Sequence, residues 1–204
     1  RDLIKKNDVD NLRNSLENFI NNNNKKFKKR EINYTLNKKI NSIHNLHIKW
    51  KFINTIQNNR NLNKIVEVLL SDKIDNFGSE LFYKPARNGL HAPLHQDNFF
   101  WCLDNPQAVT VWIALDVAKK ENGGIFYFKE SQSIGLLEHK PSFHPGTSQE
   151  IKYPEGLKKF EKFYPNLQPG DCLIHHSLIV HGSNANVTKN SRVGITIRYK
   201  LKKS

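Results

Sequence analysis

From residue 80 onward the chain is written in short runs rich in Val, Ile, Phe, Tyr and Thr: "ELFYKPA", "AVTVWIALDVA", "GGIFYFKE", "DCLIHHSLIVHG" and "RVGITIRYKL". Pro, Gly and Asn separate them, as they separate β-strands. No helix alternates with them, which speaks against a parallel sheet, because parallel neighbours need long crossovers. The helical patterns come first. Residues 2–20 carry apolar residues at 3, 4, 9, 12, 16, 19 and 20, the spacing of an amphipathic helix. "NLNKIVEVLL" (61–70) reads as a second helix, closed by "SDKIDNFG". Helices followed by strands predict a β-sandwich or barrel with a helical buttress. We expect one domain over 1–204, with the buttress at 1–78 and the β core at 79–204. "NNNNKKFKKR" (21–30) is expected to be a solvated loop. Residues 140–170, with many Pro and Gly and little strand pattern, read as a lid or binding loop.

Composition narrows the function classes. No run of eighteen apolar residues occurs, so nothing is expected to span a membrane, and no signal peptide is visible. Two cysteines, Cys102 and Cys172, make neither a disulfide framework nor a C-x-x-C zinc site, which suggests a reducing compartment such as the cytoplasm. The net charge of +13 admits nucleic acid, a membrane surface or an anionic substrate. The lysines are scattered rather than interleaved with aromatics, however, and they accompany abundant Asn and Ile. Composition is therefore the simpler explanation, and a nucleic-acid target is the weaker reading.

One stretch asks for chemistry. In "PLHQDNFFW" (93–101), His95 and Asp97 stand at i and i+2, and on a strand they would share a face, with Leu94 and Gln96 on the other. One imidazole and one carboxylate are two-thirds of a His/His/carboxylate iron site. About one such triplet is expected by chance in a chain with nine His and 19 acidic residues. The third ligand would be a distant His, with His139, His144, the His175–His176 pair and His181 as candidates. The last run adds a second oddity. Arg192, Gly194, Thr196 and Arg198 share one strand face, and Val193, Ile195, Ile197 and Tyr199 share the other. Two Arg and a Thr on one face suit a polar, ligand-binding cavity.

Taken in order, the H-x-D segment, "TVWIALD", "ENGGIFYFKESQSIGLLEH", "PGDCLIHHSLIVHGSNAN" and "SRVGITIRY" resemble the phytanoyl-CoA dioxygenase family of Fe(II)/2-oxoglutarate oxygenases. In that family the distal His precedes the 2-oxoglutarate arginine by eleven positions, as His181 precedes Arg192 here. The resemblance implies a double-stranded β-helix, a jelly-roll or cupin-like barrel. It implies Fe(II) held by His95, Asp97 and His181, with three positions left for 2-oxoglutarate and O2. Arg192 would clasp the distal carboxylate of 2-oxoglutarate, where a planar guanidinium outperforms Lys. Ser183 would add a hydrogen bond, and Trp101 would line the cosubstrate pocket.

The implied reaction oxidises a small molecule, releasing succinate and CO2. Asp97 favours a hydroxylase over a halogenase, in which a small residue replaces the carboxylate. Lys84, Arg87, Asn98 and Arg198 are candidate substrate contacts, and the cations among them would suit an anionic substrate. Rival readings are a nucleic-acid-directed oxygenase and a non-catalytic metal- or ligand-binding barrel. Where many members have Pro-Gly-Ser-His, this chain has "FKESQS" (128–133). His44, His47, His91, His139 and His144 are expected at the surface or in loops. Strand alternation should turn one of His175 and His176 inward.

Overall fold

The computed structural model describes residues 4, 6–23, 27–144 and 147–202. Helix α1 (Lys6–Asn23) buries Val9, Leu12, Leu16 and Phe19, the stripe read from the sequence. Helix α4 (Arg60–Leu70) buries Leu62, Val66 and Leu70, one side chain per turn. The Asn59 side chain accepts a hydrogen bond from Leu62 N at 3.1 Å and so caps its amino end. Short helices α2 (Leu46–Lys49) and α3 (Lys51–Gln57) precede it.

The strands form two sheets. The larger is antiparallel, in the order β1-β2-β3-β12-β5-β10: β1 (Ile32–Tyr34), β2 (Ile40–His44), β3 (Ile74–Lys84), β12 (Arg192–Leu201), β5 (Ala108–Ala114) and β10 (Cys172–His176). The smaller runs β4-β11-β6-β9: β4 (Ala92–His95), β11 (His181–Ser183), β6 (Ile125–Phe128) and β9 (Lys162–Phe163). A hairpin of β7 (His139–His144) and β8 (Thr147–Ile151) stands beside β4.

Strand β12 shows why this arrangement makes a site. Val193, Ile195, Ile197 and Tyr199 pack into the core that the helices share with the large sheet. Arg192, Thr196 and Arg198 turn the other way and line a cavity with residues of the small sheet. The two-faced strand thus separates a dry core from a polar chamber. Helix α1 also reaches this strand. Arg13 Nε donates to Asp116 Oδ1 at 2.9 Å, and Asp116 Oδ2 accepts from Val193 N at 3.0 Å.

Several expectations need correction. Residues 1–78 are not wholly helical, since β1, β2 and the start of β3 extend the large sheet there. Residues 71–78 close α4 only at Ser71, in the left-handed region at φ 60°, and β3 begins at Ile74. In the expected loop 21–30, α1 runs on to Asn23 and Phe27 is buried edge-on against Phe19, while residues 24–26 lie outside the described residues. Residues 140–170 hold most of the β7–β8 hairpin, a 3-10 segment at Pro154–Lys159 and β9. The fold also makes basic–aromatic contacts that the sequence does not show. Lys162 Nζ lies 3.7 Å over the Phe126 ring and 5.2 Å over that of Tyr164. No helix among the described residues is long and apolar enough to cross a membrane.

Candidate active site

A cavity of about 650 Å³ opens between the two sheets. On its wall the ligand atoms of His95, Asp97 and His181 lie within 4.8 Å of one another. His95 closes β4 and stands opposite His181 of β11 in the ladder. Asp97 is not on the strand as expected. Gln96 is still extended, and Asp97 opens the short helix α5 (Asp97–Trp101). The chain turns because buried Gln96 is anchored on the far side. Its Nε2 donates to the Leu178 and Gly135 carbonyls at 2.6 and 2.8 Å, and its Oε1 accepts from Leu137 N at 2.7 Å. The turn brings Asp97 Oδ1 to 4.0 Å from His95 Nε2 and 3.7 Å from His181 Nε2.

Backbone carbonyls fix the tautomers. His95 Nδ1 donates to Pro93 O at 2.8 Å, and His181 Nδ1 donates to Ile179 O at 3.1 Å. Each Nε2 therefore presents its lone pair to the shared centre. Burial pushes the His181 imidazole well below its usual value, reinforced by His95 and opposed by Asp97, which favours the neutral form that a metal ligand takes. Burial alone would raise the Asp97 carboxyl. His181, His175 and His95 around it outweigh that and hold it well below the carboxylate range. Two imidazoles and one carboxylate form a donor set suited to iron with open positions.

His175 is the member of its pair that turns inward, with Nε2 3.1 Å from Asp97 Oδ2, while His176 Nδ1 receives Leu178 N. Thr110 and Tyr127 were missed. Thr110 Oγ1 donates to Asp97 Oδ2 at 2.6 Å, and the Tyr127 hydroxyl lies 3.0 Å from His175 Nδ1. Their signal was the inward alternation of "AVTVWIA" and "IFYF", legible only once the strands are paired. His139 is not a surface residue. It is buried, stacks on Phe99 at 4.1 Å and accepts Gln96 N at 3.2 Å. His44, His91 and His144 line the cavity, and His47 bonds Ser79.

At the far end Arg192 is buried on β12. One nitrogen, Nη2, donates to Gly123 O at 2.6 Å, and its guanidinium lies 5.4 Å over the Trp112 ring. Burial pushes its pKa down to about 10, against the pull of Asp116, and it stays charged at neutral pH. Among the described residues, Arg192 Nε and Thr196 Oγ1 find no hydrogen-bond partner though both are buried. A buried donor is rarely left unmade, and this pair of cavity-lining donors fits a ligand carboxylate. Ser183 and Trp101 line the same cavity. So does Lys84, the ladder partner of Arg192, whose Nζ donates to the Asn184 carbonyl. Burial, reinforced by Arg192, pushes that ammonium well below its usual value.

Two expected substrate contacts fall elsewhere. Arg87 is exposed on a turn at φ 61°, outside the lining. Asn98 is buried within α5, its Nδ2 bonded to Leu103 O, and also does not line the cavity. Arg198 does line it, but it is ion-paired with buried Glu80, which His44 also contacts.

Known proteins show the same architecture. EctD from S. alaskensis, solved with bound Fe, superposes with a TM-score of 0.81 at 20% identity, covering 98% of this chain and 71% of that one. SnoK, a non-heme alpha-ketoglutarate-dependent carbocyclase from nogalamycin biosynthesis, superposes at 0.79 with 19% identity, covering 97% and 77%. The fold is thus the jelly-roll barrel. In sequence, the peroxisomal phytanoyl-CoA dioxygenase of Rattus norvegicus is 27% identical over 145 residues, which is 67% of this chain and 42% of that protein. The L-proline trans-4-hydroxylase of Streptomyces griseoviridis is 25% identical over 154 residues, 66% and 58% of the two chains. The chain spans about two-fifths of the length of the phytanoyl-CoA dioxygenases it matches. The family profile described as phytanoyl-CoA dioxygenase (PhyH) matches residues 1–194, nearly the whole sequence, and the chain belongs to that family.

Proposed function

We propose that the chain is an Fe(II)- and 2-oxoglutarate-dependent oxygenase that hydroxylates a small molecule. One observation carries the reading. A cavity holds the donors of His95, Asp97 and His181 together with two buried donors, Arg192 Nε and Thr196 Oγ1, that have no partner among the described residues. Iron with 2-oxoglutarate and O2 would supply the oxidation of a C–H bond, with succinate and CO2 as co-products. The chain's own residues do the rest. His95 and His181 offer Nε2, and Asp97 offers Oδ1. Arg192 and Thr196 take the distal carboxylate, with Trp112 beneath and Ser183 beside. The sheets shield the bond to be oxidised from bulk water. The carboxylate at position 97 supports hydroxylation over halogenation.

The substrate would occupy the outer chamber, lined by Asn33, Asn41, Glu80, Trp101, His144 and Arg198. Arg198 is neutralised by Glu80, Arg87 lies outside, and Lys84 sits at the Arg192 end. The chamber is therefore polar rather than strongly cationic, and we take the substrate to be a polar small molecule with at most one anionic group. Succinate release from 2-oxoglutarate should require added Fe(II) and should vanish in Asp97→Ala and His181→Ala. A wild-type protein that binds iron and 2-oxoglutarate but releases no succinate with any of a panel of metabolites would be a binding barrel instead.

A further inference from the structure

The two carboxylate oxygens of Asp97 are held differently. Oδ1 faces His95 and His181. Oδ2 accepts from Thr110 Oγ1 at 2.6 Å and lies 3.1 Å from His175 Nε2. An ionised carboxylate only accepts, so His175 Nε2 carries a proton. The other ring nitrogen, Nδ1, lies 3.0 Å from the Tyr127 hydroxyl. Tyr127 is buried, and burial, reinforced by Asp97, pushes its phenol well up, so the hydroxyl stays protonated. A continuous hydrogen-bonded path therefore runs from Tyr127 through His175 to Asp97.

The relay joins the two sheets. Thr110 and His175 are directly opposed on β5 and β10 of the large sheet. Tyr127 stands opposite His181 on the small one. His95 and His181 belong to the small sheet, so Oδ2 is where the carboxylate ligand is fastened to the large sheet. His175 is not one of the three gathered ligands, and its ring lies 4.7 Å from that of His181. We propose that the Tyr127–His175 pair is a positioning device that, with Thr110, commits Asp97 to coordination through Oδ1 alone. The proposal rests on the metal reading above. With Oδ2 occupied by two donors, the carboxylate cannot close on the metal with both oxygens. The position it would have taken stays open, and a facial site for cosubstrate and O2 needs three.

The test needs no substrate. Metal-free protein is titrated with Co(II) by calorimetry while its visible ligand-field spectrum is recorded. The ligand-field bands report the number and kind of ligands, which mere packing would not move. His175→Phe should weaken Co(II) binding about ten- to a hundredfold, as loss of an outer partner does, and should shift the bands as Oδ2 joins the metal. His175→Gln, whose amide can donate to Oδ2, should restore most of the wild-type spectrum. Tyr127→Phe removes one hydroxyl with little change in volume, so it keeps the test open if His175→Phe does not fold. It should produce part of the same shift. A wild-type spectrum and affinity in His175→Phe, or in Tyr127→Phe where only that variant folds, would overturn the proposal. So would a shifted His175→Phe that His175→Gln fails to correct. Wild-type protein that takes no Co(II) would instead remove the metal reading itself.

Discussion

Gly194 lies on the cavity face of β12 between Arg192 and Thr196, and its lack of a side chain makes room for Trp112. A Cβ built there would stand 2.6 Å from Trp112 Cε2, 2.8 Å from Cη2 and nearer still to Cζ2. Carbon atoms pack at roughly 3.5–4.0 Å, so in Gly194→Ala the indole must retreat by about 1 Å. The room lies on the cavity side, which the ring shares with Arg192, and its other side is packed. Trp112 is 3% exposed and packed among Ala114, Ala118, Ile125, Tyr127 and Leu167. Overpacking costs about 1–3 kcal/mol, and a rigid ring in a closed cluster belongs to the upper part, about 2–3 kcal/mol. For a chain of this length that lowers Tm by about 4–12 °C. The sign is the sharp point, because Gly→Ala at an unobstructed site stabilises by about 0.4–1 kcal/mol. The displaced indole would also leave Arg192, so 2-oxoglutarate affinity should fall several-fold. Thermal unfolding with and without 2-oxoglutarate reads both effects. The double variant Gly194→Ala/Trp112→Phe should recover part of the lost stability, a non-additivity expected of touching residues. A Gly194→Ala protein as stable as wild type, or more stable, would refute the packing argument.

Two further predictions concern charge. Arg192→Ala should weaken 2-oxoglutarate binding about ten- to a hundredfold, since a charge-assisted bond contributes about 1.5–3 kcal/mol, while Co(II) binding is kept. Arg192→Lys should recover only part, and unchanged calorimetric affinity in Arg192→Ala would remove that residue from the pocket. Burial would raise the Glu80 carboxyl, but Arg198 and His44 hold it below its usual value. A lowered folded value means stability that is present above about pH 4.5 and drains away as pH falls through that value toward the folded one. Glu80→Gln should flatten this acid limb in denaturation curves at pH 7, 5 and 4. Arg198→Ala should cost about 3 kcal/mol at pH 7, because it leaves a buried carboxylate with His44 alone. An acid limb unchanged by Glu80→Gln would show that other carboxylates carry it.

What the sequence could reveal depended on whether neighbours along the chain or across the sheets carried the signal. The two faces of "RVGITIRYKL" were legible because alternation is a local property, and β12 buries Val193, Ile195 and Ile197 while turning Arg192 and Thr196 to the cavity. The meeting of His95, Asp97 and His181 was anticipated, yet by a geometry that differs in part. The period-two argument put Asp97 on a strand, whereas Gln96 ends the strand and a helical turn delivers the carboxylate. Glu80–Arg198 and Thr110–His175 lay beyond local reading. The first pair spans 118 residues, and the second depends on the β5–β10 register. Strands β1 and β2, "INY" and "INSIH", are too short and Asn-rich to announce themselves; β2 becomes a strand by pairing onto β3, and β1 by pairing onto β2. His139 looked like one more loop histidine because its partner Gln96 was not a suspected anchor.

The contact of Arg13 with Asp116 ties helix α1 to the strand that carries Arg192. Asp116 holds the amide of Val193, the residue after Arg192. Fraying of α1 and filling of the arginine site meet at one strand end, and any coupling between them must be reciprocal, each changing the other by the same factor. Amide protons of α1, about 100 residues before Asp116 in the chain, would exchange more slowly when 2-oxoglutarate is bound, although no atom of the helix need touch it. Stability in that helix would then act as a dial on cosubstrate affinity, adjustable by substitutions such as Asn14→Ala on its outer side.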